Sequence, residues 1–330
     1  MLGYIFRRIV LFIPTLIVIS IISFILIQLP PGDYLTSYIA TLAASGEKVD
    51  EARIATLEKR YGLDKPIYVQ YAKWMWGILQ GDFGVSFEWN QPVADLIGER
   101  LALTVAVSSA SMFFTWVIGI PIGVYSATHQ YSMGDYVATI IGFIGMGIPN
   151  FMIALVLMWV AFSYFNADIG GLFSQEYQDA EWTLAKVVDL LKHIWVPMIV
   201  LAMSGTAWTI RSTRANMLDE LNKPYVETAR AKGLKERKLI WKYPVRVALN
   251  PFFSTVGYML PNLINGATII SVVLSLPTAG PLLLRALMSQ DMYLAGSFLL
   301  ILSTLTLLGT LLSDILLAWV DPRIRYQRGG

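Results

Sequence analysis

Apolar residues run almost unbroken through six stretches of the chain, and polar residues gather between them. The stretches are Ile9–Leu29, Leu101–Ala127, Tyr136–Phe165, Ile194–Ile210, Phe252–Leu276 and Leu294–Val320. A helix needs about 20 apolar residues to cross the hydrocarbon core of a bilayer. The pattern therefore predicts an all-α polytopic membrane protein with six transmembrane helices. Arg7 and Arg8 precede the first stretch as they would in a secretory signal. That stretch is too long for a signal core, however, and "LPPGD" follows where small cleavage-site residues belong. A retained helix is expected.

The polar segments divide by charge. Arg211–Arg246 holds ten Lys/Arg against four acids, and the two tails add Arg7, Arg8, Arg323, Arg325 and Arg328. Pro30–Arg100 carries seven basic and ten acidic residues, and Asn166–His193 two and five. With six spans all the basic regions share one side, which should be the cytoplasm. Both termini are then expected inside. The organisation predicted is a tail and first helix over 1–29, an extracytoplasmic helical segment over 30–100, and a core of helices two to six over 101–330. A cytoplasmic loop at 213–250 joins the fourth and fifth spans.

The outer segment has its own pattern. "VDEARIATLEKRYGL" spaces Ile54, Leu57 and Tyr61 as a helix does and stops at Gly62. "PIYVQYAKWMWGILQGDFG" brings Tyr68, Tyr71, Trp74 and Trp76, residue types that favour the membrane–water boundary. It reads as an amphipathic helix on the outer surface, or as a cap that helps seat an external partner. Inside the spans, Gly119 and Gly123 flank Pro121, and Gly142, Gly145 and Gly147 lead to Pro149. Such residues allow close helix packing, or helices that bend or rock. The ionisable residues expected within spans are Asp314 in the sixth and Arg211 and Arg214 at the inner end of the fourth.

Composition sharpens this picture. Hydrophobic residues make up 55% of the 330 and charged residues 15%, well below the quarter usual in soluble domains. Cysteine is absent, which excludes disulfides, thiolate catalysis and Cys-based metal sites. His129 and His193 lie far apart and suit span ends better than a metal. No metal site is expected.

The loop "YVETARAKGLKERKLIWKYPVRVALNP" is the part that lipid alone does not explain. Pro224 suits a first helical turn, and "YVETARAK" predicts a short helix with Tyr225, Val226 and Ala229 toward one side. Glu227 and Arg230, three apart, can pair. Gly233 suits a left-handed C-cap, and "KERKLIWK" predicts a second short helix up to Pro244. A basic helix pair can rest on anionic headgroups. The small Ala229 and Ala231 and the glycine stop fit a docking element better.

Here Glu227-Thr228-Ala229, followed by Gly233, resembles the "EAA" loop of ATP-binding-cassette importer permeases. Other stretches resemble the dipeptide/oligopeptide/nickel permease family over nearly the whole chain. They are "YGLDKPIYVQYAKWMWGILQGDFGVSF", "IPNFMIALVLMWVAFSYF", "IRSTRANMLDELNKPYVETARAKGL", "ALNPFFSTVGYMLPNLINGA" and "DILLAWVDPRIR". The sequence departs from the family pattern at Pro224, Thr228, Tyr243, Ser271 and Thr278-Ala279. The last three lie at the outer end of the fifth span and put the cargo, more than the fold, in question.

The resemblance implies a permease subunit of an ATP-driven, binding-protein-dependent importer in a prokaryotic inner membrane, working by alternating access. Expected partners are a second related permease, two ATPase subunits, an extracytoplasmic substrate-binding protein and membrane lipid, with no nucleic acid. The chain has no G-x-x-x-x-G-K-[ST] phosphate loop, so ATP and Mg are expected on the ATPase partner, and no cofactor or catalysis on this chain. Coupling candidates are Tyr225, Glu227, Ala229, Arg230, Ala231 and Gly233, with Arg214 in support. Pathway candidates are Pro149, Asn150, Asn262, Asn265, Ser271 and Asp314. Oligopeptides and dipeptides are the expected cargo, with oligosaccharides and nickel as alternatives. An ion-driven secondary transporter would want ionisable groups at the midplane, for which Asp314 is thin support. An intramembrane enzyme would want a clustered acid–base pair that the spans lack. A structural anchor would leave the helical loop unexplained.

Overall fold

Proline and glycine punctuate helices throughout the computed structural model, which describes residues 2–29, 35–36, 39, 64–167, 169–178, 180–255 and 267–320. Among these residues helix is the only extended regular structure, and a single bridge joins Val85 and Pro92. Among the described residues three helices are long and apolar enough to cross a membrane: Arg8–Gln28, Val93–Thr128 and the Met292–Ser313 part of the last helix. Two more crossings follow if each of two bent helix pairs is one span. The helical segment expected at 49–63 lies outside the described residues. So does 256–266, a large part of the expected fifth span.

Met1–Leu103 and Thr278–Leu308 form one compact unit. Here α1 (Leu2–Gln28) packs on α2 (Ile67–Leu79). The Ser20 and Tyr71 hydroxyls lie 2.8 Å apart, and Phe24 stacks on Trp74 at 6.0 Å. Trp74 is buried and donates its indole N–H to Ser297 at 3.2 Å. The α2 segment is therefore more than an interfacial skin. Tyr68 and Trp76 stay exposed, but Trp74 is a core residue. Asp291 fastens the loop after α2. It accepts from the Ser86 hydroxyl (2.5 Å) and the Phe87 N–H (2.7 Å), and caps the following helix through the Leu294 N–H (3.1 Å). Arg285, on α12 (Ala279–Met288), pairs with Glu88 at 2.7 Å.

Thr104–Pro277 and Gly309–Gly330 form the second unit. It holds most of α3 (Val93–Thr128), then α4 (Met133–Gly147), α5 (Asn150–Phe165), α6 (Leu184–His193) and α7 (Trp195–Leu221). Four short helices follow: α8 (Pro224–Ala231), α9 (Glu236–Lys242), α10 (Pro244–Ala248) and α11 (Asn250–Thr255). The end of the last helix, α13 (Met292–Val320), from residue 309 on also belongs here and carries Asp314. Small residues make the close approaches here. A Cβ on Gly123 would lie 2.6 Å from Thr213 on α7, and one on Gly145 would lie 3.3 Å from Ala207. At these positions the glycines serve packing, and Pro121 lies within an α3 that runs on to Thr128.

One expected span is corrected. Tyr136–Phe165 is not a single rod: α4 and α5 meet at a bend of 96°. Pro149 cannot donate to α4, and it forces Ile148 into an extended conformation (φ −95°, ψ 124°). The helix that carries the fourth span runs on past the expected end of that span at Ile210, to Leu221. Apolarity ends before the helix does. Arg211, Arg214, Met217, Leu218 and Glu220 all suit a helix, so it continues where the apolar run stops.

Candidate coupling site

The loop is built from its sequence stops. Pro224 occupies the first turn of α8, Glu227 lies in that turn and Arg230 in the last, each matched to the helix dipole. Gly233 takes φ +77°, and its N–H bonds back to the Arg230 carbonyl at 2.9 Å. The chain then reverses into α9. Val226, Ala229 and Leu239 are buried between the two helices, with Leu234, Ile240 and Tyr243 packed around them.

This packing corrects two expectations. Ala229 is 6% exposed and faces the interior of the hairpin, so its small size serves α8–α9 contact rather than an outside surface. Arg230 makes its bidentate pair with Glu236, at 2.6 and 3.2 Å, rather than with Glu227. Glu236 lies across the turn, where both oxygens meet the guanidinium fork. The pair holds the Glu236 carboxyl below its ordinary range. The outward stripe of α8 is Pro224, Glu227, Thr228 and Ala231, all exposed at helical spacing. Tyr225 is 38% exposed, with its hydroxyl bonded to the Glu220 carboxylate. Burial and that carboxylate push the phenol up.

The hairpin is not free to swing. Val245 and Ala248 of α10 pack with Met217 of α7 and Val124 and Ala127 of α3, and the Asn216 amide donates to the Ala248 carbonyl at 3.2 Å. Arg214 grips Asp135 through two bonds, at 2.8 and 2.9 Å. Asp135 also accepts from the Ser126 hydroxyl and the Tyr131 N–H. One carboxylate, its side chain 5% exposed, thus locks the ends of α3, α4 and α7 together.

Sequence reasoning missed Asp135 and Asn216. Ser132-x-x-Asp135 does carry a helix-start signature, and Ser132 does cap α4. Nothing in the sequence pairs Asp135 with a residue 79 positions away. Of the pathway candidates, Pro149 and Asn150 sit at the α4–α5 bend, where Asn150 accepts from Ser204 at 2.6 Å. Ser271 is buried in the helical stretch 267–273. Asn262 and Asn265 lie outside the described residues. Asp314 is placed on α13 only by its backbone.

Residues 119–326 match the family described as the binding-protein-dependent transport system inner membrane component, and residues 1–108 match that family's N-terminal region. The chain belongs to this family. Relatives of this transport-system component align from end to end. The oligopeptide transport system permease protein AppB of Bacillus subtilis is 36% identical, over 99% of this chain and 100% of its own length. The dipeptide transport system permease protein DppB of Alkalihalophilus pseudofirmus is 32% identical over 99% and 100%. The peptidoglycan transport system permease protein YejB of Agrobacterium fabrum is 31% identical over 99% of both. The family and the apolar helices together make this transport component a multi-pass membrane protein.

Proposed function

We propose that this chain is one permease subunit of an ATP-driven importer of oligopeptides or dipeptides in a prokaryotic inner membrane. It spans the bilayer six times with both termini inside. A second, related permease completes the path, two ATPase subunits bind ATP and Mg on the cytoplasmic side, and an external binding protein delivers cargo. The observation that carries this reading is the loop itself. It is a packed two-helix projection whose outer stripe is exposed and whose base is fastened to α3 and α7. A partner that pushes on Glu227, Thr228 and Ala231 must move those helices, because close-packed protein interiors shift as bodies rather than deform. Alternating access follows when that push rocks the helices around a central path. The peptide cargo is argued from the relatives' names and their end-to-end alignment.

The test is co-purification in mild detergent from a membrane that expresses the neighbouring subunits. The wild-type chain should retain an ATPase and a second permease. A Glu227→Lys, Gly233→Pro double variant should insert normally, lose the ATPase and cease uptake. Uptake that survives in this variant sinks the coupling assignment. The co-purified binding protein, screened against peptides and oligosaccharides, then decides the cargo.

A further inference from the structure

We propose that Arg211 lines the translocation path and binds a carboxylate of the passing peptide, with Asn150 and Ser204 as polar neighbours on the same wall. The proposal rests on the peptide-import reading above. Arg211 lies on α7, and its stem crosses Gly142, with Cγ 3.9 Å from where a Cβ there would sit. Its guanidinium stands 4.8 Å over the Phe143 ring, and Nη1 is 3.8 Å from the Met146 sulfur. A helical side chain leans toward its own N-terminus, which carries this cation up α4 and away from the Asp135–Arg214 clamp. At about 1.5 Å per residue, Phe143 stands about 12 Å and Met146 about 16 Å along α4 from Asp135. With the clamp at the expected cytoplasmic end, the six-span arrangement proposed above would put the guanidinium within the depth of the bilayer.

Arg211 is nonetheless exposed, among the exposed apolar side chains Phe143 and Met146. A charge at that depth against lipid tails would be expensive, and such residues face the bundle interior or water. Arg214, one turn away, contrasts with it: its charge is spent on Asp135. The wall above Arg211 is polar as well. Ser204 lies two turns further up α7, within 3.2 Å of the Gly145 carbonyl and bonded to Asn150 at the bend. A guanidinium held by a ring face and a sulfur keeps its N–H fork open for a planar carboxylate. A peptide with a free C-terminus always offers one such group.

The chain has no native cysteine, so Arg211→Cys gives it a single thiol, and the wild-type transporter treated alike reports any thiol on the other subunits. It should be made in the complete transporter in proteoliposomes, with Ile17→Cys on the exposed face of α1 as the lipid-facing control. Water-soluble methanethiosulfonates should modify the thiol at position 211 and leave the one at position 17 unmodified. Uptake of a tripeptide at low concentration should fall about ten- to a hundredfold in Arg211→Cys, the range for losing a charge-assisted hydrogen bond. An aminoethyl adduct, which restores the cation, should recover most of that loss, and a sulfonatoethyl adduct should not. Arg211→Lys, which keeps the charge but loses the fork, should fall between wild type and Arg211→Cys. An unreactive thiol at position 211, or equal uptake with cationic and anionic adducts, overturns the proposal. If wild type imports no peptide, the import reading fails by itself, while thiol reactivity still reports whether position 211 meets water.

Discussion

At Gly233 the backbone turns through φ +77° with nothing within 4 Å of where a Cβ would sit. Space is therefore no obstacle to substitution, but backbone angle is. Gly233→Ala should destabilise the hairpin by about 1 kcal/mol, the lower end of the left-handed penalty for an L-residue, and Gly233→Asn by less. Amide-exchange protection across the two short helices would show both, the alanine variant losing more. A cost well above this would mean that the turn holds contacts beyond its own backbone. Asp135 poses the opposite problem. Its charge is buried and paired, so Asp135→Asn leaves the partly buried Arg214 without its counter-charge, at about 3 kcal/mol. Arg214→Lys keeps the charge but loses the fork, and should fall in between. Thermal unfolding in detergent would rank the three proteins.

Among the elements, the α8–α9 hairpin is a small core in its own right. Leu239 is fully buried against Val226 and Ala229, so Leu239→Ala should cost about 2–4 kcal/mol. Amide exchange should then quicken across both helices while α7 stays protected. Acid acts on the same element by another route. Arg230 holds the Glu236 carboxyl below its ordinary range, so their pair contributes fully above the free glutamate's pKa. That contribution is lost as pH falls through the lowered folded value. Between pH 6 and 8, by about which range a free glutamate is fully ionised, the hairpin's protection corrected for intrinsic exchange should be flat. It should drop only in acid below the usual glutamate range. A change near neutrality would point to a different titrating group. Both partners are about half exposed, so the effect belongs to the hairpin and not to global stability.

For the whole molecule the prediction concerns topology. Basic and acidic segments alternate, and the positive-inside rule predicts 211–246 inside and 166–193 outside. In this cysteine-free chain, Lys238→Cys should react with an impermeant thiol reagent only after the cells are opened. Trp182→Cys, exposed beside α6, should react from outside intact cells. Reaction of both from one side would remove the six-span arrangement, and reaction of Lys238→Cys in intact cells would remove a cytoplasmic loop.

Hydrophobic runs, charge asymmetry and the proline and glycine stops determined the helices, the class of protein, and a loop made of two short helices around Gly233. These are local properties: a backbone angle, an apolar run and a missing N–H act wherever they occur. Only the tertiary structure decided which way side chains face and whom they meet. It turned Ala229 inward, gave Arg230 to Glu236, broke the third span at Pro149 into two helices, and joined Arg214 to Asp135. It also left Arg211 open one turn away from that pair. Periodicity names a face but not its partner, and a charge finds its counter-charge through packing between helices far apart in the chain. The sequence therefore marked the loop, and the fold decided how it is held.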